Sequence, residues 1–132
     1  MKLSFGKLMF AGVILSLTSA VFALPDITGN WKCMGRDPME KKNFTVSGEI
    51  KKTGDTYSFS DWKGDVNGTR SATGIHNNKM ENSLSVMFWS NDNPEYVGFG
   101  LYQVKSANKI VGMWTMKNGK VTAEETCERV KA

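Results

Sequence analysis

After Pro25, apolar and polar residues alternate in short runs that turn residues separate. β-Branched and aromatic residues fill these runs, and no segment repeats apolar residues at helical spacing over three turns. The pattern predicts an all-β protein with eight strands, over residues 28–34, 43–52, 56–62, 69–77, 83–90, 95–105, 109–116 and 120–130. Because every connection is short, we expect an antiparallel up-and-down meander that closes into a barrel and so leaves no unpaired edge.

The N-terminus has the three-part layout of a secretory signal: two lysines, an apolar run over residues 8–17, and small residues up to Ala23. We expect cleavage after Ala23, which makes 1–23 a signal peptide and 24–132 a single β-barrel domain. The apolar run is shorter than the roughly 20 residues of a membrane span, and no cysteine stands at the cleavage point. We therefore expect a bacterial periplasmic or secreted protein without a membrane or lipid anchor.

Two cysteines in an exported chain predict one disulfide, because export delivers them to an oxidising compartment. Cys33 lies near the start of the mature chain and Cys127 near its end, so the bridge joins the first strand to the last. Residue numbers of opposed partners in an antiparallel pair have a constant sum, which places Trp31 opposite Arg129. The cysteine positions thus predict that the barrel closes.

Turn residues fix the register of two further hairpins, between the second and third strands and between the seventh and eighth. The hairpin between the sixth and seventh strands allows two registers, of which we prefer the one that sets large side chains opposite small ones inside the barrel. The predicted inward pairs are Ile50 with Phe59, Val104 with Ile110, Tyr102 with Gly112, and Trp114 with Ala123. Between the fifth and sixth strands we expect Trp89 opposite Tyr96, which points Trp89 inward.

This register leaves more apolar surface outside the barrel than a monomer normally exposes. Either the parity of these strands is inverted, or the face is an interface between copies of the chain. The second reading predicts a homodimer or homotetramer through Leu84, Val86, Phe88, Val97, Phe99, Leu101, Val111 and Met113.

The first and last strands resemble the calycin superfamily, which comprises lipocalins, fatty-acid-binding proteins and avidins. The resemblance rests on Gly29-Asn30-Trp31 and on Arg129, because in calycins that tryptophan plugs one end of the barrel beneath a basic residue. The avidin branch is most similar, through residues 27–31, 85–89 and 109–114. The resemblance implies an avidin-like barrel in which Trp31 and Arg129 form a structural plug.

The same resemblance implies that Trp89 and Trp114 reach the ligand pocket. It also implies that biotin binds poorly or not at all, because Cys33 and Asp37 stand where avidins have an asparagine and a serine that bind the ureido group. A ureido oxygen buried without donors is costly.

The residue inventory argues against catalysis, metals and nucleic acid. His76 is the one histidine and stands beside a predicted turn, so no hydrolase triad and no nitrogen or sulfur ligand set is expected. Loss of two signal lysines from 17 basic residues leaves 15 against 13 acidic ones, and no basic stripe marks a nucleic-acid surface. We expect no enzyme and no cofactor.

We therefore expect a binding protein that holds a small, partly apolar molecule in the barrel mouth. The predicted ligand-binding residues are inward aromatic and polar side chains, Trp89, Trp114, Tyr57, Tyr102 and Glu125. Two alternatives stay open: a barrel filled by side chains, and a salt bridge from Glu125 to Arg36 or another loop cation at the barrel rim in place of ligand contact. A different class of function, a protease-inhibitor-like barrel, would use residues 24–26 as an insertable tail.

Overall fold

The chain forms one antiparallel sheet whose strands follow in sequence order and close into a barrel. The computed structural model describes residues 20–131, and the predicted signal peptide lies, as far as residue 19, outside them. The strands are β1 (Gly29–Asp37), β2 (Lys42–Thr53), β3 (Thr56–Gly64), β4 (Arg70–Ile75), β5 (Ser83–Ser90), β6 (Val97–Ser106), β7 (Lys109–Met116) and β8 (Ala123–Arg129). The predicted eight-stranded up-and-down barrel is confirmed. In the described part of the chain, no helix has the length and apolar character to cross a membrane.

The barrel closes between β1 and β8, where the register is the predicted one. Cys33 lies opposite Cys127 and Trp31 opposite Arg129. The two cysteines form a disulfide across a sequence separation of 94 residues. A covalent bond and a strand pairing therefore hold the first strand to the last.

The two hairpin registers fixed by turn residues are also found, and so is the preferred register between β6 and β7. The inward pairs Ile50 with Phe59, Val104 with Ile110, Tyr102 with Gly112, and Trp114 with Ala123 all lie opposite each other. The connection between β7 and β8 is longer than the predicted two-residue loop, because β7 ends at Met116 and β8 starts only at Ala123. Regular pairing still begins in the predicted register.

The predicted register between β5 and β6 is wrong by one residue. Trp89 pairs with Val97, because Tyr96 stays in the loop, where its carbonyl oxygen accepts a bond from the Ser90 N–H at 2.9 Å. A slip of one residue turns every side chain of a strand to the opposite face. Leu84, Val86 and Phe88 consequently point into the barrel, while Trp89 lies on its outer face.

A bulge in β3 brings a second unpredicted aromatic residue inside. The pairing with β4 shifts between Phe59 and Trp62, and Asp61 between them has a left-handed φ of 54°. Strict alternation from Phe59 would send Trp62 outward, but the extra residue turns its ring into the barrel. The indole covers Gly48, where a β-carbon would overlap it, and donates a hydrogen bond to the Glu49 carbonyl at 3.1 Å.

One end of the barrel is closed by a plug around Trp31. This side chain and Ile27 are fully buried, and the Trp31 indole N–H donates to the Ile27 carbonyl at 2.8 Å. The Arg129 guanidinium lies 5.0 Å from the Trp31 ring centroid and donates to the carbonyls of Thr28, Asp26 and Ala107. The sheet therefore opens to solvent at its other end.

Candidate ligand-binding site

The open end of the barrel leads into a cavity of about 190 Å³. Its floor includes Ile50, Leu84 and Ile110, which separate it from the plug. Its mouth lies among the β1–β2, β3–β4 and β5–β6 loops. An apolar cavity of about 150 Å³ holds a benzene molecule in another protein. The space here is therefore sufficient for a six-membered ring with a short substituent.

Aromatic rings form the cavity wall around Trp114. The Trp114 ring meets Phe44 and Phe88 edge-on, with centroids 5.9 Å and 5.6 Å away. Phe88 in turn lies 6.3 Å from Tyr96 near the mouth. Edge-to-face contacts of this kind hold the rings in fixed orientations. The rings therefore form a fixed apolar wall around an occupant.

One carboxyl group lies inside this apolar wall. Glu125 on β8 accepts a hydrogen bond at 2.7 Å from the Tyr102 hydroxyl to its Oε2 atom. Among the described residues, the one contact of its Oε1 atom within hydrogen-bond range is the Cys127 sulfur at 3.9 Å. A disulfide sulfur has no hydrogen to donate. The Oε1 atom is thus an acceptor that the protein itself leaves free.

Two glycines set the position of the Tyr102 ring. A β-carbon on Gly100 or Gly112 would overlap this ring, so the tyrosine lies flat against its own strand β6 and the neighbouring strand β7. This packing explains why large and small residues face each other here. It also delivers the hydroxyl to Glu125.

Burial changes the acid–base behaviour of both groups. It raises the pKa of Glu125 above its ordinary value, although the hydrogen bond from Tyr102 opposes the shift. The pKa of Tyr102 is raised as well, first by burial and then by the charge of Glu125. Burial therefore shifts both groups toward their neutral forms.

The cavity carries an excess of acidic groups. Four carboxylates contribute to its lining, those of Asp37, Glu40, Asp65 and Glu125, against two cations, Lys42 and Arg70. The Arg70 guanidinium is engaged by its neighbours: it lies 4.1 Å from the Tyr96 ring centroid and donates to the Asn67 carbonyl at 2.8 Å. The local sign of charge is opposite to that of the whole chain, which carries a formal +4.

The structure brings together three of the five predicted ligand-binding residues. Trp114, Tyr102 and Glu125 line one cavity. Trp89 does not line it, because the register of β5 turns the indole to the outer face. Tyr57 points inward as expected but packs into the closed core, with 8% of its surface exposed.

Sequence reasoning missed three contributors to the site. Phe88 was assigned to the outside by the wrong register, and the bulge concealed Trp62. Arg70 carried no signal in the sequence, because its role depends on the loop that places Tyr96 beside it. The predicted alternative of a Glu125–Arg36 salt bridge is not found; Arg36 is exposed and its one hydrogen bond in the described chain goes to Asn43, at 3.4 Å.

The remaining chemistry-bearing side chains have structural roles. Cys33, Cys127 and Glu125 offer ligand atoms within 4.8 Å of one another, but the disulfide consumes both sulfurs. His76 is half-buried at the closed end of the barrel, with its ring nitrogens 2.6 Å and 2.8 Å from the carbonyls of Ser83 and Phe22.

The segment before β1 packs onto the barrel. Leu24 contacts the core, Ile27 is buried, and Arg129 donates to the Asp26 carbonyl at 2.7 Å. Residues 24–26 therefore do not form a protruding tail.

No family model matches the chain, and no curated protein matches it significantly. We therefore infer the function from the cavity itself.

Proposed function

We propose that this is an exported, non-enzymatic binding protein that holds a small, partly apolar molecule in the open end of its barrel. The observation that carries the proposal is the open cavity of about 190 Å³, walled by aromatic rings and containing one carboxyl group. Binding sites for small molecules have this composition: a large apolar surface and a few polar groups that fix orientation. Biotin is not the ligand, because Cys33 is bonded to Cys127 and offers no hydrogen bond to a ureido group.

The likeness to calycins supports the same proposal. The Trp31 and Arg129 plug seals the end at which calycins carry their Gly-x-Trp tryptophan, and the cavity opens at the other end. The inhibitor alternative has less support, because the chain before β1 is packed down and the barrel is hollow.

Filling the cavity tests the proposal. Ala72 is buried and lines the cavity, whereas Thr73 beside it on β4 is exposed on the outer face. Ala72→Leu should abolish binding of small aromatic compounds, detected by ligand-observed NMR, while Thr73→Leu should preserve it. The proposal fails if the parent protein binds none of a set of one-ring compounds, or if both variants bind as the parent does.

Export is the second part of the proposal, and a disulfide that ties the ends of the domain supports it, since such bonds persist in oxidising compartments. Expression of the full chain in a Gram-negative host should deliver protein to the periplasm with Leu24 as its first residue. Mass spectrometry would show this processing. Cytoplasmic protein that retains residues 1–23 would contradict it.

A further inference from the structure

We propose that the cavity selects a small organic cation, an amine on an aromatic or similarly apolar body, with its ammonium group placed at Glu125 and Tyr102. This inference rests on the proposed function and names the chemical class of its ligand. Three independent observations lead to it: the free acceptors on the floor, the aromatic wall, and the sign of charge around the mouth.

With Glu125 ionised, the Glu125–Tyr102 pair on the floor of the cavity offers acceptors and no donor. The single proton of the Tyr102 hydroxyl is already donated to Glu125 Oε2 at 2.7 Å. What remains for a ligand is the Oε1 atom of Glu125 and the lone pairs of the Tyr102 oxygen. An ammonium group carries three N–H donors and no acceptor, so it complements this pair. A carboxylate or phosphate would meet only repulsion there.

The wall is suited to a cation with an apolar body. Trp114, Phe44 and Phe88 present aromatic surfaces beside the acidic floor. Aromatic faces attract cations, most strongly where water is excluded, and they also cover an apolar ring. The cost of removing an ammonium group from water is thus offset by an ion pair, by hydrogen bonds and by the rings.

The mouth adds attraction over a longer range. Asp37, Glu40 and Asp65 outnumber Lys42 and Arg70 at the cavity, and Arg70 is held against Tyr96. Clefts lined by one sign of charge concentrate ligands of the opposite sign. In a chain with more basic than acidic residues, this local reversal favours cations at the cavity.

Binding of the cation should displace a proton. Burial shifts Glu125 toward its protonated form, whereas a bound ammonium favours the carboxylate, so entry of the amine should release to solvent whatever proton Glu125 holds. The other ionisable groups that share the cavity are Tyr102, Asp37, Glu40, Lys42, Asp65, Arg70 and Tyr96.

The test uses three one-ring compounds of similar size: benzylamine, benzyl alcohol and benzoate. On the full mature protein, titration calorimetry at pH 7 should show benzylamine binding about tenfold or more tightly than benzyl alcohol, and no binding of benzoate. Repeating the benzylamine titration in buffers of different ionisation enthalpy should show proton release.

The variants separate the inference from the proposed function. Glu125→Gln should remove the preference for benzylamine over benzyl alcohol and the proton release, while Glu124→Gln, which lies on the outer face of the same strand, should change neither. Equal binding of benzylamine and benzyl alcohol to the parent overturns the inference but leaves the proposed function intact. Failure of all three compounds to bind overturns both. If Glu125→Gln does not fold, the relative affinities of the three compounds for the parent still test the inference.

Discussion

The guanidinium group of Arg129 lies 5.0 Å from the centre of the Trp31 ring and joins the last strand of the barrel to the first. The contact unites a cation–π interaction with hydrogen bonds to three backbone carbonyls. Trp31→Ala should therefore lower the free energy of unfolding by about 3–5 kcal/mol, the range for large-to-small core changes. Denaturant unfolding followed by circular dichroism would measure this. A folded Trp31→Ala variant of parental stability that has lost a specific ligand would instead make Trp31 part of the binding site.

The disulfide should contribute a large share of the stability. In the chain-entropy description, a bridge across a sequence separation of 94 residues stabilises a fold by roughly 4–5 kcal/mol. The double variant Cys33→Ser, Cys127→Ser should melt well below the parent in calorimetry, and reductant should lower the melting temperature of the parent only. A melting temperature of the double variant within a degree or two of the parent's would contradict the role assigned to this bridge.

Apolar side chains on the outer face of β5 to β7 predict self-association of the chain. The residues of this face differ in part from those predicted from the sequence. Leu84, Val86 and Phe88 belong to the interior, and the apolar side chains that stay outside are Met87, Val97, Phe99, Leu101, Val111 and Met113. Phe99 is 55% exposed and Leu101 60%. Burying such a face removes surface that costs about 25 cal/mol per Å² in water, so we predict a homodimer or homotetramer.

Sedimentation at micromolar concentration should show the parent as an oligomer and Phe99→Lys as a monomer. Ser47→Lys, on the outer face of β2, should leave the oligomer unchanged. A monomeric parent would refute this prediction.

The pKa of Glu125 makes stability depend on pH in a defined direction. Its folded-state pKa is raised above the ordinary 4.5, so the folded protein binds the proton more tightly than the unfolded chain does. The resulting stabilisation is fully present below pH 4.5 and is lost as pH rises through the folded-state pKa. The parent should therefore lose stability relative to Glu125→Gln between pH 4 and about pH 9, below the ordinary range of tyrosine. Parallel pH profiles of unfolding free energy for the two proteins would argue against a buried, proton-retaining Glu125.

Gly100 should be needed for the position of Tyr102. An added β-carbon would meet the ring, with the hydroxyl oxygen only 3.0 Å away, so Gly100→Ala should push Tyr102 off Glu125. We expect a loss of about 1–3 kcal/mol of stability and weaker binding of any cavity ligand. Gly54→Ala would serve as a control for binding, because a β-carbon there meets open space in the β2–β3 turn. Equal ligand affinity in Gly100→Ala and the parent would show that the ring adapts freely.

The sequence sufficed to predict the parts of the site that lie on the later strands. Trp114, Tyr102 and Glu125 can be placed together because the disulfide fixes the register of β1 against β8 and the turn at Asn118 fixes that of β8 against β7. The pairing of large with small residues then selects the register of β7 against β6. Once the register between two strands is fixed, it determines which side chains of the second strand point inward. The prediction failed at β5, because apolar residues occupy both faces of this strand and alternation alone does not show which face points inward.

Two local departures from regular strand geometry account for the parts of the site that the sequence did not predict. Tyr96 stays in its loop and shifts β5 by one residue, which exchanges Phe88 for Trp89 at the cavity. Asp61 adopts a left-handed conformation and inserts a bulge that carries Trp62 inside. Neither event leaves a periodic signal in the sequence, since each changes the alternation of a strand by a single residue.

The plug at Trp31 closes one end of the barrel, so a ligand can enter and leave the cavity only through the mouth. The end of a molecule that enters first must leave last, and whatever does not fit remains outside the rim. Such a pocket contacts only the end of a molecule that enters it, and the length of the part outside the mouth does not change these contacts. A long or tethered compound with the right terminal group would then be held as firmly as a short one, with its remainder free in solvent.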